Sequence, residues 1–113
     1  MKKSFNRSQR LTGKKEINET IRIGKRVKGN YLIIFFLPSD KLRMGLSVRK
    51  GISSSVRRNL LKRRLREILR VEQEKLKPVK LFLISSADAE HLNFTQLKWE
   101  ITDLLNKAGL YHC

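Results

Sequence analysis

The sequence predicts an α+β domain with the element order α-β-β-β-α-β-α. Three observations carry that prediction. Tyr31-Leu32-Ile33-Ile34-Phe35-Phe36-Leu37 is a β-branched and aromatic run stopped by Pro38-Ser39-Asp40. From Ser54 to Leu76 the chain has no Gly or Pro and carries leucines at helical spacing. After Pro78 a second apolar run, residues 79–85, precedes Asn93-Phe94-Thr95-Gln96, which has the form of a capping box. With 113 residues, 40% of them hydrophobic, the chain can build one core without disulfide or metal staples. It therefore reads as a single domain over residues 1–113.

The elements follow in order. Residues 1–10 are basic and polar and read as a flexible tail. A short helix over residues 13–23 has Thr12 as N-cap and Gly24 at its end, and puts Ile17 and Ile21 on one face. Residues 25–29 form a brief strand or extended turn. The aromatic strand comes next, and residues 43–48 read as its antiparallel hairpin partner. A long helix over about 54–76, capped by one of Ser53, Ser54 or Ser55, ends before Pro78. The strand over 79–85 follows. The last helix places Phe94, Leu97, Ile101, Leu104, Leu105 and Ala108 on one side and closes at Gly109. Trp99 falls off that stripe, as a partly buried flank or a contact residue.

Charge is distributed unevenly. The net charge is +16, yet residues 1–70 hold 21 Lys/Arg against four Asp/Glu, while residues 71–113 hold five against six. Nine cations and a single acid fall between Arg49 and Arg70. On a helical wheel Asn59, Lys62, Arg63, Arg66 and Arg70 share about 100° of arc. Leu61, Leu65, Ile68, Leu69 and Leu76 gather on another side, and Arg57 and Arg64 lie on a third. A merely solvated face would mix Glu with Lys at i,i+4, whereas Lys62/Arg66 and Arg66/Arg70 repel. The stripe is built for a polyanion, and its excess of Arg over Lys suits bidentate phosphate contact.

Several function classes find no support. His91, His112 and Cys113 are not spaced as metal ligands, Asp88 and Glu90 are an isolated pair, and Ser53–Ser55 is a cap rather than a nucleophile. Neither a P-loop nor the clustered carboxylates of a two-metal nuclease is present. No apolar run reaches a membrane-spanning length, and the basic helix lacks the Trp/Phe-rich side of an interfacial helix. The basic N-terminus has no apolar segment of a secretory signal behind it, and Cys113 as sole cysteine excludes an internal disulfide; both fit a cytoplasmic protein.

Gly45-Leu46-Ser47-Val48-Arg49-Lys50, then Val56, Arg58-Asn59, Lys62-Arg63 and Arg66, resemble the protein subunit of bacterial ribonuclease P in residue type and spacing. The resemblance extends to Arg10-Leu11, the short helix ending at Gly24, the aromatic strand, and the strand and helix after Pro78. It implies a two-layer, ribosomal-protein-like sandwich with a four-stranded mixed sheet and a left-handed β-α-β crossover. It also implies a function: assisting a catalytic RNA that uses Mg²⁺, held mainly by RNA and substrate phosphates, to remove the 5′ leader of precursor tRNA. Lys50, Ser54, Arg57, Arg58, Asn59, Lys62, Arg63, Arg66 and Arg70 would contact the RNA subunit. Ile17, Ile21, Tyr31, Ile33 and Phe35 would line the cleft for the leader, Phe35 by stacking on an unpaired base. The partners implied are that RNA and precursor tRNA, with no membrane and no protein partner required. The sequence departs from the family pattern at Leu60, where a further arginine is usual, at Ser53-Ser54-Ser55, and at Ile17 and Ile21, where aromatics are common. A ribosome-associated structural protein would share the basic composition. A helix-in-groove DNA reader would need more base-reading side chains than Asn59.

Overall fold

A computed structural model of the chain describes residues 10, 11 and 13–112. The expected tail up to residue 9, the Thr12 cap and Cys113 lie outside the described residues. Elements run α1 (Lys14–Ile23), β1 (Lys25–Lys28), β2 (Leu32–Pro38), β3 (Arg43–Val48), α2 (Ser55–Glu72), β4 (Val79–Ser85) and α3 (Phe94–Lys107). Short 3-10 turns follow α2 (Gln73–Lys75) and precede α3 (Ala87–His91). The predicted order is the observed one.

The strand arrangement is where expectation and structure part. Residues 32–38 and 43–48 do not form a hairpin. The sheet order is β1-β2-β4-β3: β4 lies between β2 and β3, antiparallel to the first and parallel to the second. Apolarity explains the choice. Leu81 and Leu83 of β4 feed one face and Phe82 and Ile84 the other, and the strand is buried over most of its length. A strand apolar on both faces belongs in the middle of a sheet. β3, with Arg43, Gly45 and Ser47 on one face, tolerates the edge. That edge is partly covered, because Arg10 bridges to Met44 and the Leu11 N–H donates to the Met44 carbonyl at 2.9 Å.

Helices α2 and α3 pack on one face of the sheet. Leu61, Leu65, Ile68 and Leu69 of α2 and Leu97, Ile101, Leu104 and Leu105 of α3 close over Leu32, Ile34 and Phe36 of β2 and Leu81 and Leu83 of β4. This is the leucine side of the basic helix, as the wheel predicts. Helix α1 packs against β2 and β4, and strand alternation gives the opposite face to Ile33, Phe35, Phe82 and Ile84. Phe35 and Phe82 are register partners there, each under a tenth exposed yet outside the main core cluster. Gly45 faces the same way, beside Phe82. A β-carbon at Gly45 would press into the Leu11 carbonyl and come within 3.0 Å of the Phe82 ring.

End signals decide the helix limits. Ser54 caps α2, its side chain accepting the Arg57 N–H at 3.2 Å. Asn93 and Gln96 form the full capping box of α3, with bonds of 2.8 and 2.9 Å. Gly109, at φ +69°, ends α3 in the left-handed conformation a side chain would resist. One expectation for α3 fails: Phe94, at its first position, is 39% exposed rather than core. Residues 94–96 are all exposed, so the apolar stripe begins to pack only at Leu97.

Candidate nucleic-acid interface

Helix α2 carries seven cations, Arg57, Arg58, Lys62, Arg63, Arg64, Arg66 and Arg70. The structure sorts them into two groups. Four are tied down by the protein itself. Arg57 Nε donates to Glu90 Oε1 at 2.8 Å, and that carboxylate also receives the Ser53 N–H at 3.1 Å and the Ser53 hydroxyl at 2.9 Å. Burial alone would raise the Glu90 carboxyl, but these bonds from Ser53 and Arg57 outweigh it and hold it below the ordinary range. Arg58 turns inward, donating to the Val48 carbonyl at 2.5 Å and the Arg49 carbonyl at 3.1 Å. The wheel explains this, since Arg58 falls between Leu65 and Leu69 on the sheet side. Arg64 reaches the Leu92 carbonyl at 3.4 Å, and Arg70 pairs with Glu67 one turn back.

Lys62, Arg63 and Arg66 form the second group. None has an acceptor among the described residues, and Arg63 and Arg66 are exposed. Asn59, also exposed, extends the stripe toward the helix N-terminus. Lys50 and Ser54 are exposed on the approach to the helix, with Ser54 committed to capping. The nine RNA-side candidates thus lie on α2 and its preceding loop, but only part of the set presents uncommitted charge.

The second surface is the face of the sheet under α1. An ionic clasp holds that helix: Glu16 Oε2 accepts from Arg43 Nη1 at 2.6 Å, and Lys80 Nζ stands 3.8 Å from Glu16 Oε1. Beside the clasp, a groove of about 630 Å³ brings Ile17, Gly45, Ser47 and Phe82 together with Arg10 and Arg66. A recess of about 210 Å³ gathers Tyr31, Ile33, Ile84 and Ser86 with Lys28 and Arg49. The five cleft candidates are therefore distributed. Ile17 lines the groove, Tyr31 and Ile33 line the recess, Ile21 is half-buried on α1, and Phe35 is 8% exposed with its ring beside Phe82. Tyr31 is set by Glu100 of α3, whose carboxylate accepts the Asn30 and Tyr31 N–H groups at 3.1 and 3.0 Å. Burial raises that carboxyl despite those bonds, and Asp103 adds to the rise.

Sequence reasoning missed Phe82, Arg10 and Phe94 as surface-lining residues. Phe82 reads as core in an apolar strand, and its place beside Phe35 depends on β4 lying next to β2. Arg10 reads in the sequence as the end of the basic tail. It instead lines both the cleft groove and a second groove on α2, as does Arg66, so the basic stripe and the cleft are continuous.

An α+β domain with a four-stranded mixed sheet, a cationic helix face and an adjoining apolar cleft is the class these features define. The family model for ribonuclease P matches residues 5–109, and the chain belongs to that family. The ribonuclease P protein component of Thermus oshimai is 38% identical over 90 residues, covering 80% of this chain and 58% of that protein. The chain thus spans a little over half the length of its Thermus relatives. The protein component of Bacillus velezensis is 31% identical and covered to 90% on both sides. A mutant RNase P protein of Staphylococcus aureus superposes with a TM-score of 0.86 at 20% identity, over 92% of this chain and 91% of that one, which attests the fold.

Proposed function

We propose that this chain is the protein subunit of a ribonuclease P ribonucleoprotein, binding a catalytic RNA through α2 and the 5′ leader of precursor tRNA through the cleft. The observation that carries the reading is the division of the α2 cations. Lys62, Arg63 and Arg66 lie on one arc without an acceptor among the described residues, while their neighbours brace the helix. A stripe of like charge held rigid and unneutralised suits a phosphate backbone, where each contact releases condensed counterions. Arg66 and Arg10 carry the positive surface into the cleft, so one RNA could follow both.

In this reading the protein supplies binding and orientation, and the RNA subunit performs the cleavage. Mg²⁺ would be held mainly by RNA and substrate phosphates; the described residues gather no group of three His, Cys, Asp or Glu for it. The leader would cross the sheet face near Tyr31, Ile33 and Ile17. With Phe35 largely covered, contact there would be limited. No helix among the described residues is long and apolar enough to cross a membrane, and the assembly would work in the cytoplasm. Reconstitution tests the reading. At low Mg²⁺, adding the full chain to its cognate RNase P RNA should restore cleavage of 5′-labelled precursor tRNA. Failure to restore it, with binding to ribosomes instead, would favour a ribosome-associated role.

A further inference from the structure

The groove on the outer side of α2 has a composition that phosphate binding alone does not require. Leu60 and Phe94 are 40% and 39% exposed, and they share a groove of about 490 Å³ with Arg10, Arg63, Arg64, Arg66, Arg70 and one acid, Glu67. Two large apolar side chains among arginines cost solvation without contributing to the core. Leu60 stands where the family pattern has an arginine, so a cationic position has become an apolar one. Phe94 holds the first position of α3, fixed by the capping box behind it. The apolar floor is thus presented on a rigid element. The chain's own terminus is a poor occupant, since residues 1–9 carry Lys2, Lys3 and Arg7 and no acid. The one acid on the rim, Glu67, is engaged by Arg70, so an occupant must offer a flat apolar face and at least one anion to the remaining guanidinium groups.

We propose that this groove seats one unpaired nucleotide of the RNA subunit, its base on Phe94 and Leu60 and its phosphates on Arg63 and Arg66. The inference rests on the RNA-binding role proposed above and adds a base contact to it. Arg63 and Arg66 have no competing acceptor among the described residues. Arg64, held by the Leu92 carbonyl, links α2 to the segment that presents Phe94. Stacking on an aromatic face is tolerant of base identity and adds to affinity without releasing counterions.

The test uses the full chain and its cognate RNase P RNA, with binding measured across a salt series. Phe94→Ala and Phe94→Leu should each weaken binding roughly 5- to 150-fold, the range of a lost base–aromatic stack. Their log K against log salt slopes should match wild type, and Phe94→Trp should bind as tightly as wild type. A photoreactive benzoylphenylalanine at position 94 should crosslink to one unpaired nucleotide, a readout that does not depend on a destabilised variant. Wild-type affinity in Phe94→Leu, or no RNA crosslink, would overturn the nucleotide site. So would polyglutamate binding that requires Phe94 while RNA binding does not. If Lys62, Arg63 and Arg66 still govern the salt slope in those cases, the broader RNA-binding reading stands. If wild-type chain does not bind the RNA at all, that reading fails first.

Discussion

Replacing Lys62, Arg63 and Arg66 together with alanine separates the binding role proposed for α2 from its structural role. The three side chains make no hydrogen bond or ion pair with the described residues, so their loss leaves no acceptor unsatisfied. Alanine is the better helix former, and removing the Lys62/Arg66 repulsion at i,i+4 relieves a small penalty. Thermal stability should therefore stay level or rise slightly. If each cation neutralises one phosphate, the slope of log K against log salt falls by roughly 0.9 per contact, or about 2.7 for three. Between 50 and 200 mM salt that difference corresponds to about 40-fold less salt-induced loss of affinity. Arg58→Ala is the contrasting variant. It removes two charge-assisted bonds to the Val48 and Arg49 carbonyls, where β3 ends and the loop to α2 begins. A loss of about 1–3 kcal/mol is expected, allowing for partial exposure, with a melting temperature lower by several degrees. Filter binding of the RNase P RNA across salt, paired with thermal melts, reads both effects. A triple variant with an unchanged slope, or one that melts well below wild type, would refute the division of the cations drawn here.

Three further outcomes are expected. Gly45→Ala would force the Leu11 carbonyl or the Phe82 ring to move, and should lower stability by about 1–3 kcal/mol in urea titrations while increasing amide exchange at Leu11. Tyr111→Phe removes the hydroxyl that donates to the buried Glu72 carboxylate at 2.6 Å, leaving it with Lys75 at 3.4 Å. A loss of about 1–3 kcal/mol is expected from the same titration, and absorbance should show the wild-type phenol ionising well above its ordinary value because burial and Glu72 both raise it. Glu90, held below its ordinary value when folded, contributes stability that is complete above an unfolded carboxyl value of about 4.3 and is lost as pH falls through the lower folded value. Melting curves from pH 6 to pH 2 should show that loss in wild type and a reduced one in Glu90→Gln.

Much of the domain was legible in the chain because its local signals agree. Ser54, Asn93 and Gly109 mark helix ends that the structure keeps, and Pro38 and Pro78 bound β2 and β4, although α2 gives way at Glu72 to a 3-10 turn short of the expected Leu76. Leu61, Leu65, Ile68 and Leu69 of α2 face the sheet. The pairing of β3 was not legible. A four-residue link from 39 to 42 is short enough for a hairpin, and nothing within residues 31–48 reveals that β4, over thirty residues later, takes the intervening position. What selects the arrangement is the two-sided apolarity of residues 79–85, a property that gains meaning only once a central position exists to fill. The cleft inherits the same difficulty. Phe82 reaches Phe35 and Gly45 through a non-local pairing, so no motif spacing announces it.

The basic stripe illustrates a finer limit. A wheel assigns charges to faces, but it does not say which charges are already spent. Arg57 and Arg58 are neighbours in sequence and both look available, yet Glu90 engages one and two backbone carbonyls the other. Their commitments brace the N-terminal end of α2 against β3 and the turn before α3. On the proposed RNA-binding role, that bracing would favour Lys62, Arg63 and Arg66, which have no acceptor among the described residues: an arginine on a frayed helix would have to be ordered before it could hold a phosphate, and the ordering would offset much of the contact. The protein thus uses some of its arginines to fix the position of the others. Leu60 fits the same logic, because a guanidinium there would join an already cationic rim. An apolar side chain beside Phe94 instead gives that rim a surface on which something flat can rest.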